Sequence, residues 1–144
     1  MSPADPSEAK SDPSTIVLLI DHNDRDRTYY ADRVKSGLQD CQVLEANDGH
    51  SGLELYKSTS VDCIVTELNL PDMSGFELLL EVVPQASQPV VAVIILAGFA
   101  YKTLADIARK HGTQELLAKR LMSGDELVHS IRQAIARVRP TRKG

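Results

Sequence analysis

Two periods of apolar and polar residues alternate along the chain. Short, continuous, largely β-branched runs stand at 16–20, 42–46, 61–67, 90–96 and 116–118. Runs of this length and type predict strands buried on both faces, as in a parallel sheet. Between them the period lengthens to that of helices. Tyr30, Val34 and Leu38 mark the first helix, and Leu53 and Tyr56 the second. The third starts near Phe76 and ends by about Pro84. Leu104, Ile107 and Ala108 mark the fourth, with Gly112 as its C-terminal cap. Leu127, Ile131, Ala134 and Val138 form the buried face of the last, which Ser123 and Glu126 open as a capping box. Polar links follow the strands: Asp21-His22-Asn23-Asp24 after the first, Asn47-Asp48-Gly49 after the second, Gly98 after the fourth. Strands alternating with helices through short links predict an α/β fold, a doubly wound parallel sheet covered by helices on both faces. The second strand is expected at an edge.

The stretch at 61–75 organises the rest. Val61-Asp62-Cys63-Ile64-Val65-Thr66 leads to an acid, Glu67, and then to a loop containing Pro71, Asp72 and Gly75. The carboxyl ends of strands in an open parallel sheet are where such folds place their sites. The pattern therefore sets a carboxylate at the site end of a central strand.

The chain has 144 residues, enough for one domain with a core. Residues 1–14 are rich in Ser, Pro and Asp without apolar periodicity and are expected to be a disordered tail. The domain then spans 15–138, and 139–144 is a basic C-terminal tail. A net charge of −4 gives no bulk attraction to nucleic acid or anionic membrane. No apolar run approaches the roughly 20 residues of a membrane helix, and no signal peptide is visible. Cys41 and Cys63 fall in separate strand-like runs and are expected to be free thiols, consistent with a cytoplasmic location.

Residues 68–75, Leu-Asn-Leu-Pro-Asp-Met-Ser-Gly, resemble the loop after the third strand of response-regulator receiver domains. Glu45-Ala46-Asn47-Asp48-Gly49 and Ser123-Gly124-Asp125-Glu126-Leu127 resemble that family as well. The resemblance covers about 15–138 and implies the flavodoxin-like three-layer sandwich with sheet order 2-1-3-4-5. That order puts a whole strand between Cys41 and Cys63, beyond disulfide reach. It also implies a pocket in which an aspartate accepts a phosphoryl group beside two acids that hold Mg²⁺.

This sequence departs from the family at that pocket. The acceptor position carries Glu67, whose extra methylene moves the attacking oxygen by roughly an ångström against the near-attack placement that transfer needs. The paired acids align with Asp21 and His22. An imidazole is a poor ligand for Mg²⁺, so no cofactor is expected and Mg²⁺ at Asp21 and Glu67 should be weak or absent. As a residue alone, His22 reads as a surface turn. Lys119 stands at the family's pocket lysine and is expected to pair with Glu67, although Glu67 could also imitate part of a phosphoryl group's charge. Arg120 replaces the proline that follows the lysine, which predicts a trans peptide, or a strained cis one held by packing. The switch hydroxyl and switch aromatic align with Ala97 and Leu116, which carry no polar group.

The resemblance thus implies an atypical, non-enzymatic receiver that works as a protein-interaction module without phosphorylation. The alternative is a phosphorelay receiver that takes the phosphoryl group at Glu67 or a nearby acid. Expected partners are a histidine kinase, a downstream effector or a second copy. Two surfaces are candidates. Phe76, Leu80 and Val83 form an apolar stripe on the third helix, either exposed as an interface or covered by a neighbouring helix. Phe99 and Tyr101, with Lys102, Arg109, His129 and Arg132, lie where receivers bind partners. A cofactor-binding flavodoxin-like domain lacks support, since Asp21-His22-Asn23-Asp24 would repel a phosphate. Nucleotide hydrolysis has no Gly-x-x-x-x-Gly-Lys loop. The basic run Arg137, Arg139, Arg142 and Lys143 is too short to suggest nucleic-acid binding.

Overall fold

In the computed structural model, residues 15–98 and 102–143 are described, with side chains to 138. Phe99 and Tyr101, and the N-terminal tail, lie outside the described residues. Five strands, β1 (Thr15–Ile20), β2 (Cys41–Ala46), β3 (Cys63–Glu67), β4 (Ala92–Ala97) and β5 (Glu115–Ala118), alternate with the helices. These are α1 (Asp24–Gly37), α2 (Gly49–Ser58), α3 (Gly75–Val82), α4 (Lys102–Lys110) and α5 (Gly124–Lys143), with a single 3-10 turn at Lys119–Leu121. The sheet is parallel in the order β2-β1-β3-β4-β5. The expected order and edge strand are found. The last helix runs on to Lys143, past the limit expected at 138.

Alternation along each central strand divides the core in two. Val17, Leu19, Cys63, Val65, Ile94 and Leu96 face α1 and α5, where they meet Val34, Leu127 and Ile131. Leu18, Ile20, Ile64, Val93 and Ile95 face the other way and meet Leu53, Leu78, Leu79 and Ala108. A sheet whose two faces are both apolar has to be covered twice, which is why β3 and β4 are buried at every position. The cysteines are free, as expected. Thr15 pairs with Cys41 and Val17 with Cys63, so β1 does separate them.

The apolar stripe on α3, expected to be either exposed or covered, is covered at two of its three positions. Val83 is 1% exposed, Phe76 packs partly against the core, and Leu80 alone stands out at 52%. The helix ends at Val82, and Val83 caps it with non-helical dihedrals, so helical spacing no longer fixes where its side chain points. Gly112, at φ +99°, closes the turn after α4 against it: a Cβ there would meet Val83 Cγ1 at 2.7 Å. Of the residues that mark α4, Ala108 is buried and Ile107 is 43% exposed. Val83 and Leu80, one covered and one exposed, should separate in denaturant unfolding. Val83→Ala is expected to lower stability by about 1.5–3 kcal/mol, and Leu80→Glu to change it by less than about 0.5 kcal/mol. Equal losses would contradict this packing.

Candidate functional site

The carboxyl ends of β1, β3 and β5 converge on one cluster of charged groups. Asp21 follows β1 directly and is fully buried. Its amide donates to the Ala46 carbonyl at 3.0 Å, and its Oδ1 accepts from the Asn23 amide at 2.9 Å. Asn23 in turn caps α1 by accepting from the Asp26 amide. Arg27 braces the same turn, donating to the Asp21 carbonyl at 2.7 Å while paired with Asp24 and Glu45. Glu67 ends β3. The chain then doubles back, with the Gly75 amide donating to the Leu68 carbonyl at 2.7 Å. A Cβ on Gly75 would stand 3.0 Å from the Glu67 carbonyl oxygen, so the smallest residue lets α3 start this close to the strand end. Lys119 enters from the turn after β5. There is no cis peptide bond among the described residues, so the Lys119–Arg120 link is trans, as its sequence predicts.

Lys119 Nζ stands among three carboxylates: 2.8 Å from Asp21 Oδ2, 2.8 Å from Asp26 Oδ2 and 3.4 Å from Glu67 Oε1. The contact with Asp21 is a close ion pair with a fully buried carboxylate. The Tyr30 ring lies 6.0 Å from the ammonium, within cation–π range. Glu67 Oε2 is engaged separately: it accepts from the His22 amide at 3.0 Å and meets His22 Nδ1 at 2.5 Å. His22 is therefore not only a surface turn residue. Its side chain is 51% exposed, but its ring nitrogen closes on a carboxylate that is 11% exposed.

The charges shift one another. Burial is the largest influence on Asp21 and raises its pKa, against the lowering effect of Lys119 and the Asn23 amide. Burial also pushes Glu67 up, but the His22 hydrogen bonds and the Lys119 charge together outweigh it, and its pKa falls below the usual carboxylate value. Burial pulls Lys119 down, while Asp21 and Asp26 overcome it and raise its pKa. The bond to Glu67 raises the pKa of His22.

Asp21, His22, Glu67 and Lys119 are thus brought together as the sequence suggests. The expected Lys119–Glu67 pair exists, but it is the longest of the three contacts. Asp26 is the residue that sequence reading misses. Its signal is present only in outline, as an acid in the first turn of a helix that starts beside the pocket. Ala97 is buried at the end of β4, paired in register with Ala118, and Leu116 is buried in the core; neither carries a polar group into the pocket. Of the basic residues on the expected partner face, Lys102 and Arg109 both pair with Asp106, and Arg132 donates to the Gly37 carbonyl.

The His22–Glu67 contact sets a sign for pH dependence. A histidine pKa raised by folding contributes stability that is fully present below its ordinary value of about 6.5 and is lost as pH rises through the raised value. Solvent screening at the half-exposed ring keeps that contribution under about 1 kcal/mol. An NMR titration of the His22 ring should give a midpoint above the ordinary value, falling back towards it in Glu67→Gln. A midpoint that Glu67→Gln leaves unchanged would contradict the contact.

Comparison with known proteins agrees with this geometry. The profile of the response regulator receiver domain matches residues 17–132. The nitrate/nitrite response regulator protein NarL of Escherichia coli (strain K12) is 28% identical over 128 residues, covering 89% of this chain and 57% of that protein. The transcriptional regulatory protein PdtaR of Mycobacterium tuberculosis (strain ATCC 25618 / H37Rv) is 28% identical over 97 residues, covering 67% of this chain and 45% of that protein. The chain spans about half the length of these curated relatives. The crystal structure of a response regulator receiver domain protein from Clostridium thermocellum matches with a TM-score of 0.76 at 27% identity, covering 88% of this chain and 98% of the other. With the profile matched over most of its length and the same fold in a solved receiver, the chain belongs to the response regulator receiver domain family.

Proposed function

We propose that this receiver domain acts without phosphotransfer, as a protein-binding module in two-component signalling. Receiver domains are generally non-enzymatic signalling modules that interact with histidine kinases and effector domains. The observation that carries the proposal is the state of Glu67. Both of its oxygens are engaged, Oε2 by the amide and ring of His22 and Oε1 by Lys119. An acceptor has to present a free oxygen in line with the phosphoryl donor, and this carboxylate would have to give up its contacts to do so. Ala97 and Leu116 supply neither a hydroxyl to hold a phosphoryl oxygen nor a polar ring to report it.

Receiver domains commonly bind Mg²⁺ at their acidic pocket, but the donors here do not fit that ion. Mg²⁺ requires near-octahedral oxygen coordination. One of the expected oxygen positions is an imidazole, His22, which leaves two carboxylates as the oxygen ligands of the cluster.

Protein binding then falls to the outer surface. At the open edge of the sheet, Glu115, Leu117, Leu121, Met122, Asp125 and His129 line a groove of about 460 Å³. Leu121 is 84% exposed there, beside acids that favour a partner segment carrying apolar and basic side chains. A histidine kinase, a downstream effector or a second copy of this chain are the partners that this reading admits.

Amide NMR spectra recorded with Mg²⁺ and then with beryllofluoride, a phosphoryl mimic, test the proposal. Neither addition is expected to produce a concerted change that starts at Asp21, Glu67 and Lys119 and spreads to α4. A saturable change of that pattern would overturn it and favour a working phosphoacceptor.

A further inference from the structure

We propose that Asp21, His22 and Glu67 form a site for one divalent cation of the zinc class, in place of the magnesium site of the fold. One ligand atom from each of the three residues lies within 4.8 Å of the others. The donors are one imidazole nitrogen and two carboxylate oxygens, a set that suits Zn²⁺ and its neighbours in the transition series better than Mg²⁺. Tetrahedral zinc needs three such ligands and one water, and the half-exposed side of His22 is where solvent can supply it.

Three further observations support the site. The first is charge. Asp21, Asp26 and Glu67 surround one ammonium, so two negative charges stay uncompensated when the imidazole is neutral. Arg27 does not offset them, being paired with Asp24 and Glu45. One divalent cation would balance the cluster. The second is orientation. The Asn23 amide holds Asp21 Oδ1, leaving the buried Oδ2 turned to the cluster, where its close contact is the Lys119 ammonium that an incoming ion would replace. The His22 amide likewise anchors Glu67 Oε2 at 3.0 Å, so the carboxylate keeps a support when an ion displaces the contact with the ring. Bonds of this kind, which fix a ligand from behind, are a regular part of metal sites.

The third is the fate of Lys119, the cation already present. It also contacts Asp26 Oδ2 at 2.8 Å, an oxygen outside the proposed ligand set. Lys119 can release Asp21 and Glu67 to the incoming ion and remain paired. Asp26 is thus a positioning residue for the metal, acting through the lysine.

The test uses the full chain, freed of metal by a chelator, and titrated with Zn²⁺, Co²⁺ and Mg²⁺. Calorimetry gives affinity and stoichiometry, and the Co²⁺ absorption spectrum and the histidine ring NMR signals give the ligands. One Zn²⁺ per chain should bind at least roughly tenfold more tightly than Mg²⁺, with the His22 ring perturbed. His22→Ala should weaken Zn²⁺ by about tenfold or more. His22→Asp should reverse the preference towards Mg²⁺. Asp26→Asn should weaken Zn²⁺ severalfold by returning Lys119 to Asp21 and Glu67, while leaving His22 as a ligand. The exposed position of His22 makes both of its variants compatible with folding, which thermal unfolding will check. Zn²⁺ affinity unchanged in His22→Ala, or Co²⁺ reporting instead on Cys41, His111, His129 or the His50–Glu54 pair, would overturn the site.

Discussion

One ammonium group among three carboxylates, at the carboxyl edge of a parallel sheet, sets the character of this molecule. Lys119 is held by Asp21, Asp26 and Glu67, each delivered by a different stretch of chain. Asp21 and Glu67 are costly to bury alone and become tolerable through the shared cation, which the part-exposed Asp26 holds from the rim. The turn after β1, the start of α1, the end of β3 and the exit from β5 are thereby tied to one point. Removing the lysine would leave uncompensated charge at the place where those elements meet.

The fold was legible because its signals are redundant. The run at 61–67 is apolar at nearly every position, as only a strand covered on both faces can be, and β3 is indeed buried throughout. Gly112, Ser123 and Glu126 announced helix ends through backbone chemistry that depends on few neighbours. Less was legible where tertiary packing decides. Helical spacing aligned Val83 with Phe76 and Leu80 and left open whether the stripe was exposed or covered; the helix ends before Val83, and another turn lies over it.

The pocket was legible in membership and not in wiring. Alignment with a family placed Asp21, His22, Glu67 and Lys119 together, but no sequence pattern states which oxygen meets which nitrogen. That His22 closes on Glu67, and that Asp26 shares the lysine, are consequences of helix placement across residues far apart in the chain. The extra methylene of Glu67 then has a structural meaning. On our proposal, its carboxylate meets His22 and Lys119 at the position where the resemblance expects an acceptor available for chemistry. Ala97 and Leu116, where the resemblance expects the groups that sense such chemistry, are apolar and buried in an intact scaffold.

The central claim is that the acceptor position is occupied by its own neighbours and is closed to phosphoryl transfer. The most direct measurement is the intact mass of the protein after incubation with a small-molecule phosphoryl donor, such as phosphoramidate, and Mg²⁺. The account predicts unmodified protein. A stoichiometric gain of one phosphoryl group, labile to hydroxylamine as an acyl phosphate is and absent in Glu67→Gln, would contradict it.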